Sequence, residues 1–162
     1  QARAIAMTQR TCVAFSYGSE TTNHHQIVTG FQSFMCSPSN DTTSVEEILK
    51  TVLSPNRDLA EITDEIDLSP ACPMQRLSGN VRIAYVRESG LSSASLSPYS
   101  EMTLFFRPDG SVLSDPADIQ AHHIIVYTQE RFHRGDQSAD HLYRILRIDL
   151  ATGLVTVLGG AR

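Results

Sequence analysis

The residue pattern predicts an α+β domain: an N-terminal helix packed on antiparallel β-sheet(s), with a short helical segment inserted. Three observations carry this expectation. Ala2, Ile5 and Ala6 fall at i, i+3 and i+4, which lines them along one face of a helix. From Thr11, and again from Val81, apolar and β-branched residues recur at every second position, the period of a half-buried strand. Finally, Pro108-Asp109-Gly110 and Ala151-Thr152-Gly153 are turn signals that fold the last third of the chain into a meander.

In chain order, residues 1–10 read as the C-terminal part of an N-terminal helix. Ala2, Ile5 and Ala6 form its packing face, while Arg3, Met7 and Arg10 lie toward another. Residues 11–35 hold the first strands: Thr11, Val13, Phe15 and Tyr17 alternate, the stretch 18–23 turns, and a second strand follows from Gln26 to Met35. Residues 40–78 form an inserted helical and loop block. Within it, Ser44 and Glu47 have the spacing of a capping box. Ile48, Leu49, Val52 and Leu53 continue that helix until Pro55 ends it. Leu59, Ile62 and Ile66 keep helical spacing, as a second short helix or an ordered loop. A β-meander occupies residues 81–158. Val81, Ile83 and Tyr85 alternate in its first strand, and the Ser-rich stretch 89–100 is a loop. Met102, Leu104 and Phe106 give the next apolar face, and Ile124 to Tyr127 a strand apolar on both faces. A polar excursion, 131–140, precedes the last hairpin, whose turn uses Gly153 for its left-handed residue.

At 162 residues, 41% hydrophobic and 19% charged, the chain is sized and composed as one globular domain. A formal net charge of −5 argues against an anionic partner such as nucleic acid. No run of about 20 apolar residues is present to span a bilayer. The chain opens at Gln1 within an apparent helix, which reads as a processed product or part of a longer polypeptide. Cys36 and Cys72 both lie at loop-like edges, and in an oxidising compartment a Cys36–Cys72 disulfide would suit them. Cys12 alternates with strand residues and reads as a small buried hydrophobe.

The chain offers no arrangement of residues typical of catalysis. Neither the His24-His25 nor the His122-His123 pair can aim both rings at one metal from a regular strand, where neighbours point to opposite faces. His123, His133 and His141 with Asp136 or Asp140 are the remaining metal combination, set against solvated loop and edge histidines as the simpler reading. No nucleophile elbow, phosphate-binding glycine loop or Ca²⁺ loop is present, and Glu61, Asp64, Glu65 and Asp67 read as a solvated acidic face. These observations point to a protein that is not an enzyme, without cofactor or metal.

Two segments resemble the minor pseudopilins of the type II secretion H / fimbrial T (GspH/FimT) family. One is the Ala/Arg-containing helix end running into a Val-containing strand, Gln1 to Tyr17. The other is the ending from Met102 to Leu158, with Phe106-Arg107-Pro108-Asp109-Gly110-Ser111 similar to the family's F-x-P-D-G-S turn. The resemblance implies a pilin-like fold and a structural subunit of the secretion pseudopilus, near its tip. It implies other minor and major pseudopilins or pilins as partners, together with the secretion or pilus assembly machinery. An apolar N-terminal helix would hold it in the bacterial inner membrane, with the remaining domain in the periplasm. On that view Arg3 and Arg10 make intersubunit contacts. A minor pilin of a type IV pilus or DNA-uptake apparatus is the alternative within the family. Arg144 and Arg147 lie in the last hairpin, but the tail carries only Arg162 where the DNA-capturing branch has Gly-Arg-x-Arg. An extracytoplasmic ligand-binding β-domain is the alternative of another class.

Overall fold

The computed structural model describes residues 1–24, 26–40, 43–52, 65–87, 90–100, 103–113, 120–128 and 143–159. Its elements in order are α1 (Ala2–Gln9), β1 (Val13–Thr21), β2 (Ile27–Pro38), α2 (Val45–Val52), β3 (Ile66–Pro70), β4 (Gln75–Arg76), β5 (Val81–Arg87), β6 (Gly90–Ser93), β7 (Leu104–Phe106), β8 (Val112–Leu113), β9 (Ala121–Thr128), β10 (Arg144–Asp149) and β11 (Val155–Leu158).

The expected α+β class is corrected: this is a mainly-β fold of two antiparallel sheets. One sheet runs β3-β2-β1-β7-β8, with β4 also paired to β2; the other runs β11-β10-β9-β5-β6. The architecture is therefore not an N-terminal helix packed on a sheet. The physical reason lies in how little α1 can bury. Its eight residues bury only two small side chains, Ala2 and Ala6. The main core instead joins Val13, Tyr17, Leu104 and Phe106 of the first sheet to Ile83, Tyr85, Ile124 and Ile148 of the second. Burial of large side chains scales with apolar area, so the two sheets dominate and α1 fills the edge of the gap between them.

Alternation along β1 divides its side chains between two cores. Val13, Phe15 and Tyr17 face the second sheet, while Cys12 and Ala14 belong to a second cluster on the outer face. That outer cluster contains Phe34, Cys36, Ile66 and Phe105 and is covered by Ile48 and Leu49 of α2. The capping box forms as the spacing predicts: the Glu47 amide donates to Ser44 Oγ at 3.3 Å, and the Ser44 amide donates to Glu47 Oε2 at 3.3 Å. The segment after β6 crosses the first sheet. Its Ala94 carbonyl accepts from the Ser19 amide at 3.0 Å, and its Leu96 carbonyl from Ser16 Oγ. Gly18 permits this approach, since a Cβ there would stand 2.3 Å from the Ala94 carbonyl.

Three stretches read as loop or helix are strands. Ile66, expected at helical spacing, is fully buried in β3, where it pairs with Pro38 at the edge of the long β2. The remainder of that helical pattern, Leu59 and Ile62, lies outside the described residues. Gln75–Arg76 also pairs with β2, and the Ser-rich Gly90–Ser93 forms a hairpin with β5. In each case a neighbouring strand with unpaired backbone groups overrides weak local propensity.

Helix α1 ends on Arg10, whose φ of 52° and ψ of 41° are left-handed, while the Thr11 amide reaches the Ala6 carbonyl at 3.3 Å. A side chain at this position costs about 1–2 kcal/mol relative to one free to adopt the ordinary helical region. Arg10→Gly is expected to stabilise the fold by about 0.5–1 kcal/mol, after the added chain entropy of glycine is subtracted. A thermal melt should register this as a rise of roughly 1–4 °C.

Candidate functional site

The two sheets do not close completely on one another. An apolar cavity of about 270 Å³ remains between them, lined by Phe15, Phe31, Ile124, Val126, Leu146 and Val155, with Gln1, Ala2, Arg3 and Gly153 at its rim. The strand period creates the lining, because Phe15 of β1, Phe31 of β2, Ile124 and Val126 of β9 and Leu146 of β10 are inward positions that carry large apolar groups. Phe15 sits among other rings, with centroids 5.9 Å from Tyr17, 5.9 Å from Phe31 and 6.4 Å from Phe106.

Beside these apolar walls lies one buried polar pair. Tyr17 and His122 are both 2% exposed, and the Tyr17 hydroxyl is hydrogen-bonded to His122 Nε2. The Tyr85 ring stacks on the imidazole at 6.4 Å and 12°. His122 is thus a core residue, correcting its reading as a solvated histidine. Hydrogen bonding allows this imidazole to be buried without an uncompensated polar atom. His24 is exposed and His123 half-buried. His25, His133, His141, Asp136 and Asp140 lie outside the described residues. Among the described residues no group of three His, Cys, Asp or Glu side chains could hold a metal ion.

The rim is built by two turns and α1. Asp109 Oδ1 accepts from the Ser111 amide at 2.9 Å and from its hydroxyl at 2.6 Å. Asp149 Oδ1 does the same for Thr152, at 2.9 and 2.7 Å. Those bonds hold both carboxyls below the usual carboxylate range. Arg107 lies 3.3 Å from Glu46 of α2, whose carboxylate raises the guanidinium pKa. The two turns pack together: the Val112 amide donates to the Leu150 carbonyl at 2.7 Å, and Gly153 lies directly against the Gly110 carbonyl. Arg3 then locks α1 onto this pair, its Nε donating to the Thr152 carbonyl at 2.8 Å.

Next to the rim stands β11, the edge of the second sheet. Val155 and Val157 are 55% and 59% exposed, and Leu154 just before the strand is 56% exposed. The sequence reads Leu154-Val155-Thr156-Val157-Leu158 as the second strand of the last hairpin; the structure leaves it paired to β10 alone among the described residues. An edge with apolar side chains and unpaired backbone groups is a template for another chain.

The residues singled out from the sequence fall as follows. Ala2 and Ala6 are buried and Ile5 is half-buried against the inter-sheet core. Arg3 is engaged within the chain by Thr152, whereas Arg10 is exposed. The expected Cys36–Cys72 bond is absent, and all three cysteines are free. Strand register explains why: Cys36 stands opposite Leu68, while Cys72 has moved on to Gln32, whose Nε2 donates to its carbonyl at 3.2 Å. Four residues of strand, ~13 Å, separate the two levels. Sequence reasoning missed the Tyr17–His122 pair and the exposed edge. Only Leu154, Val155, Val157 and Leu158, apolar residues around Thr156, signalled the latter. Compared with protein-family models, curated proteins and solved structures, the chain matches none.

Proposed function

We propose that this chain is a minor pseudopilin, a structural subunit of the type II secretion pseudopilus that works near the filament tip by protein–protein contacts. The observation that carries this reading is β11: an apolar edge strand, paired on one side only among the described residues, beside the rim where α1 and the two turns meet. Such an edge offers backbone hydrogen bonds and side-chain contact to a neighbouring subunit. The partners in this reading are other minor and major pseudopilins and the assembly machinery. The similarity of Phe106 to Ser111 to the family's turn supports the choice of machine, and the net charge of −5 disfavours nucleic acid. A minor pilin of a type IV pilus would use the same surface in a different filament. The bacterial inner membrane and the periplasm are the location this reading requires. No helix among the described residues is long and apolar enough to cross a membrane, so anchoring would fall to a segment outside them.

The paired substitution Val155→Lys and Val157→Lys tests the reading. Both side chains are more than half exposed, so the folded chain should keep its melting temperature within a few degrees. Binding to the partner pseudopilins, measured by co-purification or titration, should fall at least ~10-fold, as for loss of an interface anchor. Unchanged binding and unchanged secretion would remove β11 from the proposal.

A second reading, a ligand-binding β-domain, is favoured by one observation, the apolar cavity of about 270 Å³. Native mass spectrometry of the purified chain separates the two, since a small apolar ligand retained at defined stoichiometry would support only this second reading.

A further inference from the structure

We infer that Cys12 and Cys36 form a cross-strand disulfide site, a pairing different from the one the sequence suggests. The β1–β2 register pairs Val13 with Met35, and one further step along both chains sets Cys12 opposite Cys36. The Cys36 amide donates to the Cys12 carbonyl at 3.1 Å, so the ladder continues through this pair. Both side chains belong to the cluster beneath α2, hence to the same face of the sheet, and each residue is 4% exposed. Directly opposed, hydrogen-bonded antiparallel residues have Cα atoms about 5.5 Å apart. Disulfides span about 4.4–6.8 Å, so the bond closes with little backbone movement.

Burial also fixes when the bond can form. Desolvation first, and then the charge of neighbouring groups, pushes the Cys12 thiol up to about 11 and the Cys36 thiol up to about 12. Neither is a thiolate at neutral pH once the sheet is made, and the thiolate is the attacking species. The site is therefore oxidised while β1 and β2 are still exposed, by exchange with a small-molecule or protein disulfide. One cysteine thiolate attacks a sulfur of that disulfide to form a mixed disulfide. The second thiolate then displaces the remaining thiol. The two cysteines lose two electrons and two protons in total, and the oxidant leaves as two thiols. The product clamps the α1–β1 junction to the end of β2.

The test is to unfold the full chain under reducing conditions, then refold it with reduced and oxidised glutathione. Free thiols are next alkylated in denaturant, and the chain is digested with a Glu-specific protease. Cleavage after Glu20 separates the two cysteines, so the bond appears as a linked pair of peptides lighter by two hydrogens. The expected result is Cys12 joined to Cys36 with Cys72 alkylated, and the same link in Cys72→Ser. The oxidised chain should melt roughly 6–12 °C above its reduced form, from closure of a loop of about 25 residues. Alkylation of all three cysteines, or a link through Cys72, would overturn the assignment.

Discussion

Gly153→Val is expected to destabilise the fold by roughly 3–5 kcal/mol, lowering the melting temperature by roughly 6–20 °C. Two effects add. Gly153 has φ of 64°, a conformation that β-branched residues almost never adopt. Its position also leaves no room: a Cβ would stand 2.2 Å from the Gly110 carbonyl, a backbone atom that cannot swing aside. Relieving that clash separates the 107–111 turn from the 149–153 turn. It also moves the Thr152 carbonyl away from Arg3, which lies 2.8 Å from it. Gly159→Val supplies the control, because nothing lies within 4 Å of its added Cβ. That variant should stay within about 0.5 kcal/mol of the parent. Equal melting temperatures for the two variants would show that the paired turns contribute little.

Phe105→Ala should cost about 3–5 kcal/mol, read from urea or thermal unfolding. The ring is fully buried at the centre of β7, opposite Ala14 on one side and Leu113 on the other. It holds together the cluster of Cys12, Phe34, Leu49 and Ile66, so its removal loses transfer energy and leaves an enclosed void. Phe15 offers a contrast on the neighbouring strand. It is half-buried and already borders the open cavity, so Phe15→Ala creates less new enclosed surface and should cost less. A loss at Phe105 no larger than that at Phe15 would mean that the outer cluster is not a packed core.

Local chemistry in this chain was legible, and long-range assembly was not. Ser44 and Glu47 cap α2 as their spacing implies, and Gly153 occupies the left-handed position its turn requires. These features depend on residues a few positions apart. The class was misread because a regular helical spacing at Ala2, Ile5 and Ala6 gives no measure of how little alanine contributes when buried. Strands β3, β4 and β6 lacked strong propensity and are strands because β2 and β5 offer them partners. Cysteine pairing failed for a related reason. Loop-like flanks suggested Cys36 and Cys72, whereas register, visible only once β1 and β2 are aligned, places Cys12 beside Cys36. The apolar residues of 154–158 did not mark their strand as an open edge, because nothing local distinguishes an interior strand from an exposed one.

The position of β1 inside its sheet also has a kinetic consequence. Its pairing with β2 is a hairpin, closed through a short connection, and such contacts form early. Its pairing with β7 joins Val13 to Phe106 across most of the chain, a contact with a large loop-closure cost. Between those two events, β1 is a bare edge carrying Val13, Phe15 and Tyr17. During that interval the nascent protein is open to misassembly with copies of itself, and a strand that ends flanked on both sides in the sheet begins as its chief aggregation hazard.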